Sequence, residues 1–243
     1  MKQVLGITGG IGSGKSLVCA LLEERGIPVF YTDDEAKAEM RENAGIHRDL
    51  INLLGPGAIS SDGQPVKAVL ADYICRGPEY ADNINRIVHP RVRERMHRWI
   101  EKNGGEPPLT PPQGEDSGAR TPSLEERAGE ELPLEGSVRS GASEQFLAIE
   151  SALLFESGFN ADCTATLAVT APLEVRVSRI MRRDHITRAK ALEWIGLQMP
   201  QEEKVVLADH TIVNDGITPL TPQIDQLLSQ LSTHGYNARY SIK

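Results

Sequence analysis

Residues 6–16 read GITGGIGSGKS, eleven residues with five glycines and one charge, Lys15. Gly9, Gly14, Lys15 and Ser16 satisfy the spacing G-x-x-x-x-G-K-[ST], whose meaning depends on a strand before it and a helix after it. Both are predicted. Val4 to Thr8 is a short apolar run, and Ser16 to Arg25 carries Leu17, Val18, Leu21 and Leu22 on one helical face before Gly26 stops it. Ile27 to Tyr31 is a second apolar run, so the first thirty residues form a βαβ unit with parallel strands. Glycines let the backbone curl until successive N–H groups point inward, and the helix adds its positive end at the same place. The nucleotide site is therefore Gly9, Gly10, Ile11, Gly12, Ser13, Gly14, Lys15, Ser16 and Leu17. Lys15 would reach the β- and γ-phosphates of a nucleoside triphosphate, and the Ser16 hydroxyl would ligate Mg²⁺.

The rest of the composition narrows the partners. A chain of 243 residues, 40% apolar and 25% charged, suffices for one sizeable core. Its formal charge of −8 argues against broad binding to nucleic acid or acidic membranes. Cys19, Cys75 and Cys163 lack paired spacing and read as reduced, mostly buried thiols. The N-terminal apolar run is too short for a signal peptide or a membrane span, so a cytoplasmic protein is expected. Nothing in the sequence fixes the oligomeric state.

From Asp34 to Lys102 the pattern is mainly helical, around Ile46 to Leu54, Val66 to Ile74 and Asn83 to Ile100. Phe146 to Ile149, Ala165 to Val169 and Thr211 to Val213 read as buried strands. The chain closes on a helix with Ile224, Leu227, Leu228 and Leu231 at core spacing. Between these parts, Asn103 to Glu144 is rich in Gly, Pro, Ser and Glu and reads as a disordered surface insertion within one domain.

Kinases of small molecules, GTPase switches and ATPase motors share such a glycine loop. The N-K-x-D guanine reader of a GTPase is missing, and a motor would be longer or more basic. A small-molecule kinase needs a base near the acceptor hydroxyl, a structure that holds the acceptor, and cations that close over the phosphate. Asp33, just past the second strand, lies at the carboxyl edge where ligands of open α/β sheets collect. Asp34 competes with it, and an acidic helix start is the plain alternative. The helical region 34–102 would hold the acceptor. Arg176, Arg179 and Arg183 recur on one helical face, with Arg182 and Arg188 nearby, and read either as a phosphate clamp or as solvated surface.

With these residues assembled, the chain resembles the dephospho-CoA kinase family through GITGGIGSGKS, GIPVFYTDDEAK, His89-Pro90, ESALLFESGF at 150–159, RIMRRD, QMPQEEKVVLAD and IVNDG, in that order. The resemblance implies a P-loop, nucleoside-monophosphate-kinase-like three-layer α/β fold. It has a five-stranded parallel sheet, a helical CoA-binding region at 34–102 and a small lid at 179–205. It implies transfer of a phosphoryl group from ATP to the ribose 3′-hydroxyl of dephospho-CoA, with Mg²⁺. Asp33 then aligns with the proposed base, and Arg179 and Arg183 with lid arginines. Lys67, His89 and Glu156 fall in the acceptor region, Asn214 near the adenine, and Glu150 beside the Mg²⁺ or its water. Against the family pattern, Tyr31 replaces a first carboxylate, Leu17 a threonine, Lys67 and Trp194 arginines, and Ala152 a proline. His89-Pro90 also reads as a plain helix start, Asn214-Asp215-Gly216 as a turn, and Glu202-Glu203-Lys204 as either a lid contact or an exposed helical face. A kinase for another nucleoside or small alcohol, or an inactive nucleotide sensor, are the alternatives.

Overall fold

The computed structural model describes residues 2–104 and 146–233. The proposed insertion at 103–144 lies outside the described residues except for Asn103 and Gly104. Five strands, β1 (Gln3–Thr8), β2 (Val29–Tyr31), β3 (Phe146–Glu150), β4 (Ala165–Thr170) and β5 (His210–Val213), form one sheet of order β2-β3-β1-β4-β5. Every pairing is parallel. β1 and β2 are thus parallel as the βαβ reading requires, but β3 lies between them, and the glycine loop leaves the central strand.

The sheet is covered on both faces because its side chains alternate. Leu5, Ile7, Phe146 and Ala148 join α1 (Lys15–Glu23) and α9 (Leu220–Thr233) in one core. Val4, Leu147 and Ile149 point the other way, into a core shared with α3 (Ala44–Leu54) and α5 (Pro78–Lys102). α2 (Thr32–Glu42) begins where β2 ends, and α4 (Lys67–Ile74) lies against α5. A third cluster joins α6 (Leu173–Asp184) to α7 (Arg188–Gly196) through Val177, Ile180 and Ala191, with Ile11 and Trp194 against it; α8 (Gln201–Leu207) follows. Trp194 thus packs among apolar side chains.

His89-Pro90 does not start a helix. Pro90 lies inside α5, whose first turn instead carries Pro78. An internal proline costs about 3 kcal/mol by removing a donor and crowding the preceding turn. The helix continues because Ile84, Val88, Val92, Met96 and Ile100, spaced four apart, are all buried. Each such side chain contributes about 1.5–3 kcal/mol, so their sum outweighs the proline.

Candidate active site

The carbonyl groups of the glycine loop are engaged both from within it and from α6 behind it. Gly9 O accepts from Lys15 Nζ at 3.0 Å, and Gly10 O from the Ser13 amide at 3.0 Å. Ile11 O accepts from Arg176 Nε at 3.0 Å. Arg179 Nη1 donates to Gly12 O and Ser13 O, and Gly14 O accepts from the Leu17 and Val18 amides. By contrast, the N–H groups of Gly12, Gly14, Lys15 and Ser16 have no acceptor among the described residues. With the Ile11, Gly12 and Ser13 carbonyls turned to the α6 arginines, the amides left over make a concave donor surface suited to phosphate.

Gly14, at φ 89°, is the N-cap of α1. A Cβ there would run into the Asn214 amide nitrogen, so the position requires glycine for both its backbone and its space. Asn214 is buried; its Nδ2 donates to Ser13 O at 2.9 Å, and its Oδ1 accepts from Arg179 Nη2 at 3.1 Å. The structure brings Asn214 and Arg179 together behind the loop. Gln198 joins them, accepting from the Ile11 amide at 2.8 Å. Arg183 is not drawn in: its side chain is exposed and donates to Asp184.

Inside the loop, Lys15 Nζ lies 3.8 Å from Glu150 Oε1 at the end of β3. Burial pushes the Lys15 ammonium down from its usual value, and Glu150 and then Asp33 push it back up. Burial pushes the Glu150 carboxyl up, opposed by Lys15. Asp33 is exposed in the first turn of α2, close enough to act on both groups. Asp34 instead pairs with Lys37 at 2.8 Å, which separates the two carboxylates by environment. Ser16 and Leu17 are exposed at the start of α1.

A cavity of about 820 Å³ lies between α5 and the segment after β3, and it contains His89 and Glu156. The His89 ring lies 5.5 Å from that of Phe159, and burial holds its pKa below the usual value, with Asp33 opposing the shift. Glu156 Oε1 is 3.0 Å from Lys204 Nζ, whose side chain is wholly buried and also donates to Ala152 O. Of the two readings of Glu202-Glu203-Lys204, the lysine departs from an exposed helical face, while Glu202 and Glu203 are exposed. Lys67 is exposed at the first position of α4 and does not line the cavity. Arg93, His97 and Asp162 do line it and were missed in the sequence, where 65 to 69 residues separate the partners. Of the thiols, Cys19 and Cys163 are buried and Cys75 is exposed.

The sequence model of the dephospho-CoA kinase family matches residues 3–108 and 134–219. The chain belongs to the dephospho-CoA kinase family. A dephospho-CoA kinase of Bacteroides fragilis is 35% identical over 95% of this chain and 94% of its own. That of Salinibacter ruber is 33% identical over 87% and 88%. A Thermus thermophilus protein of known crystal structure superposes with a TM-score of 0.66 at 28% identity, covering 96% of this chain and 97% of its own. The dephospho-CoA kinase of Campylobacter jejuni, at 17% identity and a TM-score of 0.55, shares the fold. The stretch the family leaves unmatched, 109–133, falls within the proposed insertion. Among the described residues no helix is long and apolar enough to cross a membrane.

Proposed function

We propose that this chain phosphorylates dephospho-CoA at its ribose 3′-hydroxyl with ATP, giving coenzyme A, and that it does so as a single-domain cytoplasmic enzyme. The observation that carries the reading is the convergence of Lys15, Glu150 and Asp33 at the carboxyl edge of the sheet, beside the His89–Glu156 cavity, in a chain of this family. The free loop amides and Lys15 hold the ATP phosphates. Asp33 orients the acceptor hydroxyl and takes its proton as the γ-phosphoryl group moves in line. Burial on one side and water on the other suit these roles: the lysine is fixed, while the exposed carboxylate remains open to an incoming alcohol.

Arg179 braces the loop from behind, and Arg183, exposed and paired with Asp184, would exchange that partner for the phosphates when residues 179–205 close as a lid. Asn214 holds the loop edge on the adenine side. The helical region 34–102 supplies one wall of the acceptor site, with His89 and Lys67 as substrate contacts, and Glu156 joins from the facing wall. Ser16 and Glu150 offer hard oxygen donors beside the lysine, the chemistry that Mg²⁺ takes, so they would hold the ion. When bound, Mg²⁺ neutralises charge on the β- and γ-oxygens.

The test is mass detection of coenzyme A after incubation of the purified protein with MgATP and dephospho-CoA, beside a panel of other nucleosides and small alcohols. Formation of coenzyme A in preference to any other product is expected. Transfer to another acceptor only, or none at all, overturns the reading.

A further inference from the structure

Arg86, His89, Arg93 and His97 follow one another along α5 at three- and four-residue spacing, and all line the cavity. A buried carboxylate on the facing wall sets the posture of two of them. Asp162 Oδ2 accepts from Arg93 Nε at 2.9 Å, and its Oδ1 lies 3.1 Å from His97 Nε2. Arg93 Nη2 donates to Gly158 O at 2.8 Å, and the guanidinium carbon lies 5.3 Å from the centre of the Phe159 ring. The Asp162 side chain is 3% exposed, whereas that of Arg93 is 38% exposed. Three attachments therefore fix the plane of a guanidinium that still reaches the cavity, and its Nη1 has no partner among the described residues. A planar fork held this way is pre-organised for a phosphate oxygen.

The acidic groups of the cavity do not cancel this. Glu156 is neutralised by Lys204, and the single charge of Asp162 is shared between Arg93 and His97, so with Arg86 the α5 face keeps a net positive charge. Asp82 and Glu94 are exposed, where water and salt screen them.

We propose that Arg93 anchors the diphosphate of the acceptor and that Asp162 is the positioning residue that aims it. The inference rests on dephospho-CoA being the acceptor, a molecule in which a diphosphate joins the ribose 5′-carbon to pantetheine. The register fits. α2, whose first turn carries Asp33, the proposed base for the 3′-hydroxyl, packs against α5, and Arg93 comes four residues after His89, about 6 Å along that helix. The diphosphate hangs from the same ribose, so it reaches the next turn. Binding energy collected there, away from the reacting hydroxyl, distinguishes the acceptor from a free nucleoside.

The test compares wild type, Arg93→Ala and Asp162→Asn with two acceptors: dephospho-CoA, and an analogue joining adenosine to pantetheine by an uncharged linker. Arg93→Ala is expected to raise the KM for dephospho-CoA about 10- to 100-fold, the loss of a charge-assisted contact, while the KM for ATP holds; its melting temperature falls because the buried Asp162 loses a partner, so the kinetics are measured well below it. Asp162→Asn reproduces part of that rise, and Arg93→Lys restores part of the binding. The uncharged analogue binds wild type and Arg93→Ala alike. An unchanged KM for dephospho-CoA in Arg93→Ala, or equal weakening of both acceptors, overturns the proposal. Turnover of dephospho-CoA by wild type tests the functional reading separately, and the ratio between the two acceptors tests the anchor.

Discussion

Lys204 Nζ meets Glu156 Oε1 at 3.0 Å although the lysine side chain is completely buried, so one ion pair joins α8 to the wall of the acceptor cavity. A buried ammonium is tolerated only with such partners. Lys204→Met is expected to lower stability by about 2–4 kcal/mol, below the full cost of an unpaired buried charge because Glu156 is 26% exposed. Thermal denaturation of Lys204→Met, Glu156→Gln and the double variant checks this. The double variant should recover part of the loss, whereas strict additivity would show that the pair does not act as one.

Gly14 has a left-handed backbone, and Asn214 fills the space where a side chain would stand. Gly14→Ala should therefore cost about 1–2 kcal/mol in backbone strain and sharply weaken nucleotide binding as Asn214 is displaced. Gly57→Ala is the control, since nothing lies within 4 Å of its added carbon. Titration with a fluorescent ATP analogue should find the first variant impaired and the second normal.

How much of this was readable in the sequence depends on the range of the interaction. The strand, loop and helix around residues 3–23 follow from local spacing, and Gly14-Lys15-Ser16 name their ligand without tertiary information. Residues 32–42 form a helix whose apolar stripe is too sparse to announce it, so a helix start remained only the alternative reading for Asp33, which stands in the first helical turn. Pro90 misled because the burial that outweighs it comes from the sheet, not from its neighbours. Lys204 was left open for the same reason: nothing local marks a lysine whose partners lie 48 and 52 residues away. Membership of the family follows from the ordered motifs, and the comparisons bear that reading out.

His89 is held by burial below its ordinary value of 6.5. Because the unfolded chain binds a proton there more readily, its contribution to stability is complete above pH 6.5. It is lost as pH falls from 6.5 through the lowered folded-state value. His89→Gln should flatten the acid side of the curve of melting temperature against pH in that window. An unchanged slope would show that other groups carry it.

The central claim is that Asp33 activates the acceptor hydroxyl beside a loop that holds ATP independently of it. Single-turnover transfer of the γ-phosphoryl group from labelled ATP to dephospho-CoA, in wild type and Asp33→Asn, tests this directly. The account predicts unchanged ATP affinity and a loss in transfer rate of about 10²–10³-fold. Transfer at the wild-type rate, or loss of ATP binding in step with turnover, would contradict it.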